Sequence, residues 1–403
     1  MKPQDVRVRL CAGLYLERRE ILQFDPVRLL QGETGLVATS EMVALVPYLA
    51  IEVPLTASEV AALDVLPQEL WQSREAIADR IGADRLQSLM DKGVIVLEGT
   101  SAAARDDVVR ESNWHPRALL TYIFGRWSST DSVASQYESQ LCSIEDMIAA
   151  CGLPPPHFHA RPDAVERTLL PRPTPDDLDV LFNRRVTCRN FDKVASLSQA
   201  QLGAVLHRSF GVQGHSDFAQ GAVALKKNHP SGGGLHPLEA YVLVQRVGGL
   251  SAGLYHYNAE THALDLLQEL SPSRANALAL VAVAGQHYFA AAPVLLVIAA
   301  RFARSFWKYR HHLKIYRAIL LEAGHVSQNI YLAATDLDLG AYITAAINEV
   351  QLEEAFGLDP LEEGLLAVCG FGPRATSRET VELDPGLHVW DTDARLISRS
   401  SCK

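Results

Sequence analysis

The sequence predicts an α+β fold in two parts, on three observations. Residues 55–99 read as three short helices followed by a strand, the outline of a winged helix. A proline-dense run over 152–176, with Pro154-Pro155-Pro156 and Pro171-Arg172-Pro173-Thr174-Pro175, resists both helix and sheet and makes a semi-rigid connector. Beyond it, apolar strand-like runs alternate with helical periodicity, and one proline-free helix spans 313–337. The expected division is a winged-helix-like module over 1–105, a helical segment and linker over 106–172, and an α+β domain over 173–403.

In chain order, residues 6–24 carry β-prone runs. Helices are expected over 58–66, 73–81 and 84–92, with Ser73 and Asp84 as N-caps and Gly82 and Gly93 as stops. The run Gly93-Val-Ile-Val-Leu-Glu98 follows as a strand. Residues 106–124 and 132–150 are helical, with a break at Pro116. In the second half, helices are expected over 178–183 and 198–210, a strand over 239–247 and a hairpin over 253–267. A helix opens with Ser271 as cap and Pro272 at its first position. Strands over 294–300 and 365–369 bracket the long helix.

A chain of 403 residues suggests two or three domains of ~100–200 residues each. Its formal net charge of -10 argues against broad capture of nucleic acid or an anionic membrane. The winged-helix outline has near-equal acids and bases over 74–98. It therefore reads as a peptide- or partner-binding module, or as a purely structural one. The start, MKPQDVRVRL, lacks the order of a secretory signal, and residues 277–300 are broken by Gln286, His287 and Pro293 before reaching membrane-spanning length. Six cysteines without a C-x-x-C pair fit a reduced, cytoplasmic chain. His157 and His159 sit in the connector without a carboxylate or cysteine nearby, so no metal site is expected. No G-x-G-x-x-G follows a strand, so no Rossmann nicotinamide site is expected.

Five segments carry chemistry. In Asn183-Arg-Arg-Val-Thr-Cys-Arg-Asn-Phe191, a helix end delivers Arg184 and Arg185 with Arg189 close behind across Thr187, and guanidinium forks with a hydroxyl in one turn suit a phosphate dianion. A solvated basic turn is the plainer alternative. Cys188 reads as a small packed residue. In Lys226-Lys-Asn-His-Pro-Ser-Gly-Gly-Gly-Leu-His-Pro-Leu-Glu239, three successive glycines let backbone N–H groups approach a flat or anionic ligand. Trp307-Lys-Tyr-Arg-His-His312 holds ionisable groups side by side. The helix around Glu322, Gly324, His325, Gln328 and Asn329 reads as core or dimer packing, with the polar residues at an interface. Finally, Leu337-Asp-Leu-Gly-Ala-Tyr-Ile-Thr-Ala-Ala-Ile-Asn348 continues the chain from the end of that helix.

Together these segments resemble the nitroreductase superfamily, whose marks are an Arg-Arg-Ser-x-Arg-x-Phe-like turn and a Pro-Ser-x-Gly-x-x-x-Pro loop. The nearer likeness is to its SagB-type azoline dehydrogenases, the peptide maturation dehydrogenases, and covers about 173 to the C-terminus. The resemblance implies a sheet, mixed or antiparallel, flanked by helices, and FMN held where two subunits of a homodimer meet. Arg185, Thr187 and Arg189 would grip the FMN phosphate, with Val186 replacing a polar residue common in the family. Ser231, Gly232 and Gly233 would follow the ribityl chain and ring edge, with His236 near the ring and Lys226 or Lys227 adding charge. Ala345 and Ala346 stand where glycines usually offer a backbone N–H to flavin N5.

Lys308 would be the base that removes a Cα proton, with its pKa lowered by desolvation. Tyr309 would be its hydrogen-bonding partner, and His311 and His312 are lesser alternatives. The implied reaction is oxidation of thiazoline or oxazoline to thiazole or oxazole in a ribosomally made peptide, with a cyclodehydratase as a further partner. The alternatives are an NAD(P)H/FMN-dependent reductase of dehydroamino acids and a non-catalytic flavin-binding scaffold.

Overall fold

In the computed structural model, which describes residues 6–391 apart from 142 and 160, the β-prone start folds as β1 (Arg7–Leu10) and β2 (Tyr15–Phe24). Of the six cysteines, Cys142 and Cys402 lie outside the described residues, as do the first five residues of the chain. A short helix α1 (Pro26–Leu30) leads into β3 (Leu36–Val46) and β4 (Ile51–Leu55), which with β2 form an antiparallel meander. Sequence pattern alone does not reveal β3 and β4. The outer half of β3 is exposed on both faces, so it lacks the alternation that marks a half-buried strand.

Helix α2 (Ala57–Leu63) starts at Thr56 with a capping box to Glu59. Then come β5 (Gln72–Ser73), α3 (Arg74–Ile81), α4 (Ala83–Asp91), β6 (Ile95–Leu97), α5 (Ser101–Glu111) and α6 (Pro116–Ile123). The expected helix–helix–helix–strand order is present, and β1 is the central strand of the β5–β1–β6 sheet. Two cap assignments need correction. Ser73 occupies the cap position of α3, but its side chain makes no capping bond. Asp84 is not the cap of α4: Gly82, at φ 91°, closes α3 and opens α4, leaving Asp84 in the first turn where the helix dipole favours a carboxylate.

Two polar clusters hold this region. Asp106, fully buried, accepts from Arg9 at 2.8 Å, Arg110 at 2.8 Å and the Ala12 backbone N–H at 2.6 Å. Glu59 is buried and accepts from Lys92 Nζ at 2.8 Å, Ser88 at 2.7 Å and the Thr56 N–H at 2.7 Å. Burial pushes the Glu59 carboxyl up, but these donors outweigh it and hold it down at about 2. A carboxyl lowered on folding stabilises above its unfolded value of ~4.3, and the contribution is lost as pH falls through the folded value. Glu59→Gln is thus expected to cost about 1–2 kcal/mol at neutral pH, discounted for the partly exposed Lys92. Melting curves should show the gap from wild type closing between pH 4.5 and 2.

The chain divides into two units, the first made of Met1–Arg126, Arg301–Arg317 and Asp359–Glu363. Its aromatic core sets Trp114 against Phe302 at 4.4 Å and Phe306 at 4.7 Å between ring centroids. Tyr122 and Tyr316 also belong to it, and the Trp114 indole N–H donates to the Leu361 carbonyl at 3.2 Å. The division therefore differs from the sequence-based boundaries at 105 and 172. Residues 106–126 bring Trp114 and Tyr122, whose apolar partners come from 301–317.

The second unit holds Trp127–Ala300, Ala318–Leu358 and Gly364–Lys403. Helices α7 (Ser132–Glu138) and α8 (Ile144–Cys151) replace the single helical stretch expected there. Among the described residues, 152–176 hold no helix or strand. Then follow α9 (Asp177–Arg184), α10 (Gln199–Phe210), the hairpin β7 (Gly214–Ala219) and β8 (Ala222–Lys226), then β9 (Leu238–Val244), β10 (Gly253–Asn258) and β11 (Ala263–Glu269). The chain continues with α11 (Pro272–Ala282), capped by Ser271 as expected, α12 (His287–Ala290) and β12 (Val294–Arg301). The last elements of the chain are α13 (Phe302–Lys308), which belongs to the first unit, then α14 (Lys314–Asp336), β13 (Gly340–Thr344), α15 (Glu349–Phe356) and β14 (Glu363–Gly372).

Six strands form one sheet in the order β11-β10-β9-β12-β14-β13. Its middle is buried on both faces, which is why β9 and β12 read as unbroken apolar runs. Tyr241, Leu243, Leu295 and Val297 join one apolar cluster with Ala275, Ala279 and Ala282 of α11. The intervening Val242, Val244, Leu296 and Ile298 point to the other side. This is the α+β fold expected. Among the described residues, no helix is long and apolar enough to cross a membrane.

Candidate functional site

The segment after α9 runs beside β13 as an extended strand. Thr187 bridges Ala341 in parallel, and the Cys188 N–H donates to the Ala341 carbonyl at 2.8 Å. Period-two geometry then sorts the side chains. Val186, Cys188 and Asn190 are buried, while Arg185, Thr187 and Arg189 share the opposite face. Val186 points inward, so its replacement of a polar residue does not fall on the face that carries the arginines. Cys188 is the packed residue expected: burial pushes its thiol up to about 12, and a Cβ at Gly340 would come within 2.5 Å of its sulfur.

On the outward face, Thr187 Oγ1 lies 3.0 Å from the Tyr331 hydroxyl, and the Arg185 guanidinium lies 5.4 Å from the centre of the Tyr331 ring. The Arg189 guanidinium stands 5.8 Å from the Phe289 ring. Arg184 is different, being paired with Asp338. Among the described residues, neither the Arg185 nor the Arg189 guanidinium is paired with a carboxylate, although neighbouring Arg374 is paired with Glu382. Two guanidinium charges without counter-ions beside a hydroxyl fit a bound phosphate.

Sequence reasoning missed the residue that pins this strand. Glu382, fully buried, accepts the backbone N–H groups of Arg189 and Asn190, Asn190 Nδ2 at 2.9 Å, Arg374 Nη1 at 2.8 Å and the Trp390 indole N–H at 2.7 Å. It lies 192 positions from Asn190 in the chain, and nothing local marks it out.

In the glycine loop, Gly232–Gly234 form one 3-10 turn, with φ of 72° at Gly233 and 70° at Gly234. Two successive left-handed residues require glycine, and a Cβ at Gly234 would meet nothing within 4 Å. The backbone of the turn is therefore open on that side. The polar side chains around it turn inward. Ser231 Oγ donates to Glu322 Oε2 at 2.5 Å and accepts the His236 N–H at 2.8 Å. His236, at φ 46°, places Nδ1 3.4 Å from His229 Nε2. Lys226 is exposed and Lys227 buried.

Glu322 reads from the sequence as an interface residue; in the structure it is buried beneath the loop on α14. Burial pushes its carboxyl up, and the neighbouring His229, His236 and Ser231 outweigh that and hold it down at about 2. The exposed stripe of α14 is formed instead by Leu320, Leu321, Gly324, His325 and Gln328. Tyr331 and Glu322 thus fasten the arginine strand and the glycine loop to one helix, nine residues or about 13.5 Å of rise apart.

After β13, Ala345 is exposed, and the Ala346 N–H donates to Thr344 Oγ1 at 3.1 Å. Both keep negative φ, so replacing glycine here strains nothing, while Ile347 is fully buried in the core. Lys308 and Tyr309, at the end of α13, belong to the first unit, whereas the arginine strand and the glycine loop belong to the second. The Lys308 ammonium lies 5.4 Å from the Tyr309 ring centre, a contact with the ring face. The expected desolvation of Lys308 is not met within the single chain, where its side chain is exposed. His311 and His312 hold local backbone: His311 donates its N–H to the Asn113 carbonyl, and His312 Nδ1 accepts the Lys314 N–H at 3.2 Å.

Comparison with known proteins identifies the family of the second half of the chain. Residues 183–373 match the model of the nitroreductase family. A protein of Methanocaldococcus jannaschii named as a nitroreductase is 34% identical over 176 residues, 44% of this chain and 81% of its own length. The trifolitoxin-processing protein TfxB of Rhizobium leguminosarum bv. trifolii is 33% identical over 144 residues, 36% of this chain but only 38% of its own length. Among solved structures, one from the Escherichia coli microcin synthetase McbBCD complex with truncated pro-MccB17 is 21% identical with a TM-score of 0.44, covering 67% of this chain and 94% of that one.

Proposed function

This chain belongs to the nitroreductase family, and on that premise we propose that it is an FMN-dependent dehydrogenase of peptide maturation. It oxidises thiazoline or oxazoline rings in a ribosomally made peptide to thiazole or oxazole. The observation that carries the cofactor is the Arg185–Thr187–Arg189 face, with two guanidinium groups left without a carboxylate partner among the described residues. The similarity to a toxin-processing protein supports the peptide substrate. FMN would supply the two-electron acceptor, while the protein binds, orients and handles the proton.

In this reading, Arg185, Thr187 and Arg189 hold the phosphate. The open backbone of Gly232 and Gly233 lies along the ribityl chain and ring edge, and the segment at Ala345 and Ala346 borders the ring. Ser231 and His236 act indirectly, by fixing the loop on Glu322. The exposed stripe of α14 packs against a second copy, which completes the site, and the enzyme works in the cytoplasm. The first unit holds the precursor peptide or the cyclodehydratase; β2, a ten-residue strand paired on one edge only among the described residues, offers a place for strand addition.

Lys308 takes the Cα proton and Tyr309 positions it, once substrate and the second copy exclude water from the lysine. Lys308→Ala is accordingly expected to lower turnover by roughly a hundredfold to ten-thousandfold with flavin content unchanged. Turnover equal to wild type would remove Lys308 from the mechanism.

The deciding experiment is the absorption spectrum of the purified protein with mass spectrometry of the released cofactor, followed by anaerobic mixing. Bleaching of a bound flavin by an azoline peptide, and not by NADPH, is expected. Fast bleaching by NADPH would favour a reductase of dehydroamino acids. A protein that stays colourless after soaking with FMN would end the flavin reading.

A further inference from the structure

Beneath the glycine loop, three ligand-type atoms converge where the flavin reading assigns only a positioning role. His229 Nε2 lies 3.3 Å from Glu322 Oε1 and 3.4 Å from His236 Nδ1, and His236 Nδ1 lies 3.7 Å from Glu322 Oε1. All three residues are more than nine-tenths buried. For a tetrahedral ion with arms of about 2.0–2.1 Å, the separation between ligand atoms is about 3.3–3.4 Å. The three observed edges have nearly that length.

Protons alone satisfy the group poorly. His229 Nδ1 is 3.1 Å from the Ser209 carbonyl, which can only accept, so Nδ1 carries the ring proton. In the neutral ring Nε2 is then an acceptor, with His236 Nδ1 3.4 Å away as its donor, and it has no proton to give the carboxylate. Glu322 Oε1 accepts no hydrogen bond and is buried, whereas Oε2 is occupied by Ser231. A buried carboxylate oxygen without a donor costs free energy that a cation would remove. The Ser209 carbonyl also orients the imidazole as an outer partner orients a metal-bound histidine.

We propose that His229, His236 and Glu322 form a buried site for one divalent transition-metal ion, zinc by its ligand set and geometry. Nitrogen and oxygen donors in a tetrahedral arrangement suit zinc, with one position left for a water or another oxygen donor. The ion joins the glycine loop, through His229 and His236, to α14, through Glu322. Its role is to hold the loop backbone in place, and it takes no part in redox chemistry. The proposal does not depend on the flavin reading.

The test uses the full-length protein, stripped with a chelator, returned to metal-free buffer and titrated with zinc against a colorimetric competitor. The expected results are about one zinc per chain and a higher melting temperature on loading. Glu322→Gln and His229→Asn should each bind at least about tenfold more weakly. The double replacement His157→Ala and His159→Ala, in the exposed connector, should bind as wild type does. X-ray absorption of the zinc-loaded wild type reads the site without any variant, and should give nitrogen and oxygen neighbours at about 2.0–2.1 Å with no sulfur. Wild-type protein that takes up no zinc, leaving the cluster as an imidazolium–carboxylate pair, would overturn the proposal. So would a sulfur shell, or Glu322→Gln and His229→Asn variants that bind like wild type.

Discussion

Replacing both Arg185 and Arg189 by alanine is expected to release FMN, with affinity falling by roughly a hundredfold to ten-thousandfold. Each charge-assisted contact to a phosphate contributes about 1.5–3 kcal/mol, and the two guanidinium groups have no competing carboxylate to release among the described residues. The loss should appear as flavin passing freely through a membrane in equilibrium dialysis. Arg184→Ala is the internal control: that side chain is already paired with Asp338, so its loss should change FMN affinity only a few-fold. A double variant that keeps its flavin would show that the phosphate is held elsewhere.

Glu382→Ala is expected to destabilise the second unit by about 3–5 kcal/mol, the cost of leaving one member of a buried ion pair without its partner. Arg374 would lose its carboxylate, and the N–H groups of Arg189 and Asn190 would lose their acceptor. Chemical denaturation should show the loss. Adding Arg374→Met to the same chain should recover part of it, because the uncompensated guanidinium is then gone. A cost below about 1 kcal/mol would mean that water replaces the carboxylate easily, so that Glu382 is not the anchor.

Most of the second-half architecture is legible because buried strands and capped helices declare themselves locally. Ser271 caps the helix expected of it, and β9 and β12 read as apolar runs because both faces are covered. The arginine strand and the glycine loop stand out in the sequence as candidate ligand-binding segments because their residue types carry the chemistry. The features that stay hidden depend on long-range pairing. Glu382 gives no local sign of the strand it holds, and Glu322 looks like an interface residue because periodicity cannot tell which flank of a helix a loop will cover. The inward turn of Ser231 and His236 is equally invisible, since it depends on the residues beneath the loop. β3 escapes notice because half of it is solvent-facing on both sides.

The first unit takes its aromatic core from stretches separated by almost two hundred residues: Trp114 and Tyr122 early, Phe302, Phe306 and Tyr316 late. A nascent chain halted after Arg126 would emerge with that indole still wet. The module can close only once synthesis has passed Leu361, whose carbonyl receives the Trp114 indole N–H. Cutting the gene at the proline connector would therefore yield two unfinished pieces, one lacking its late-arriving rings and the other carrying them bare.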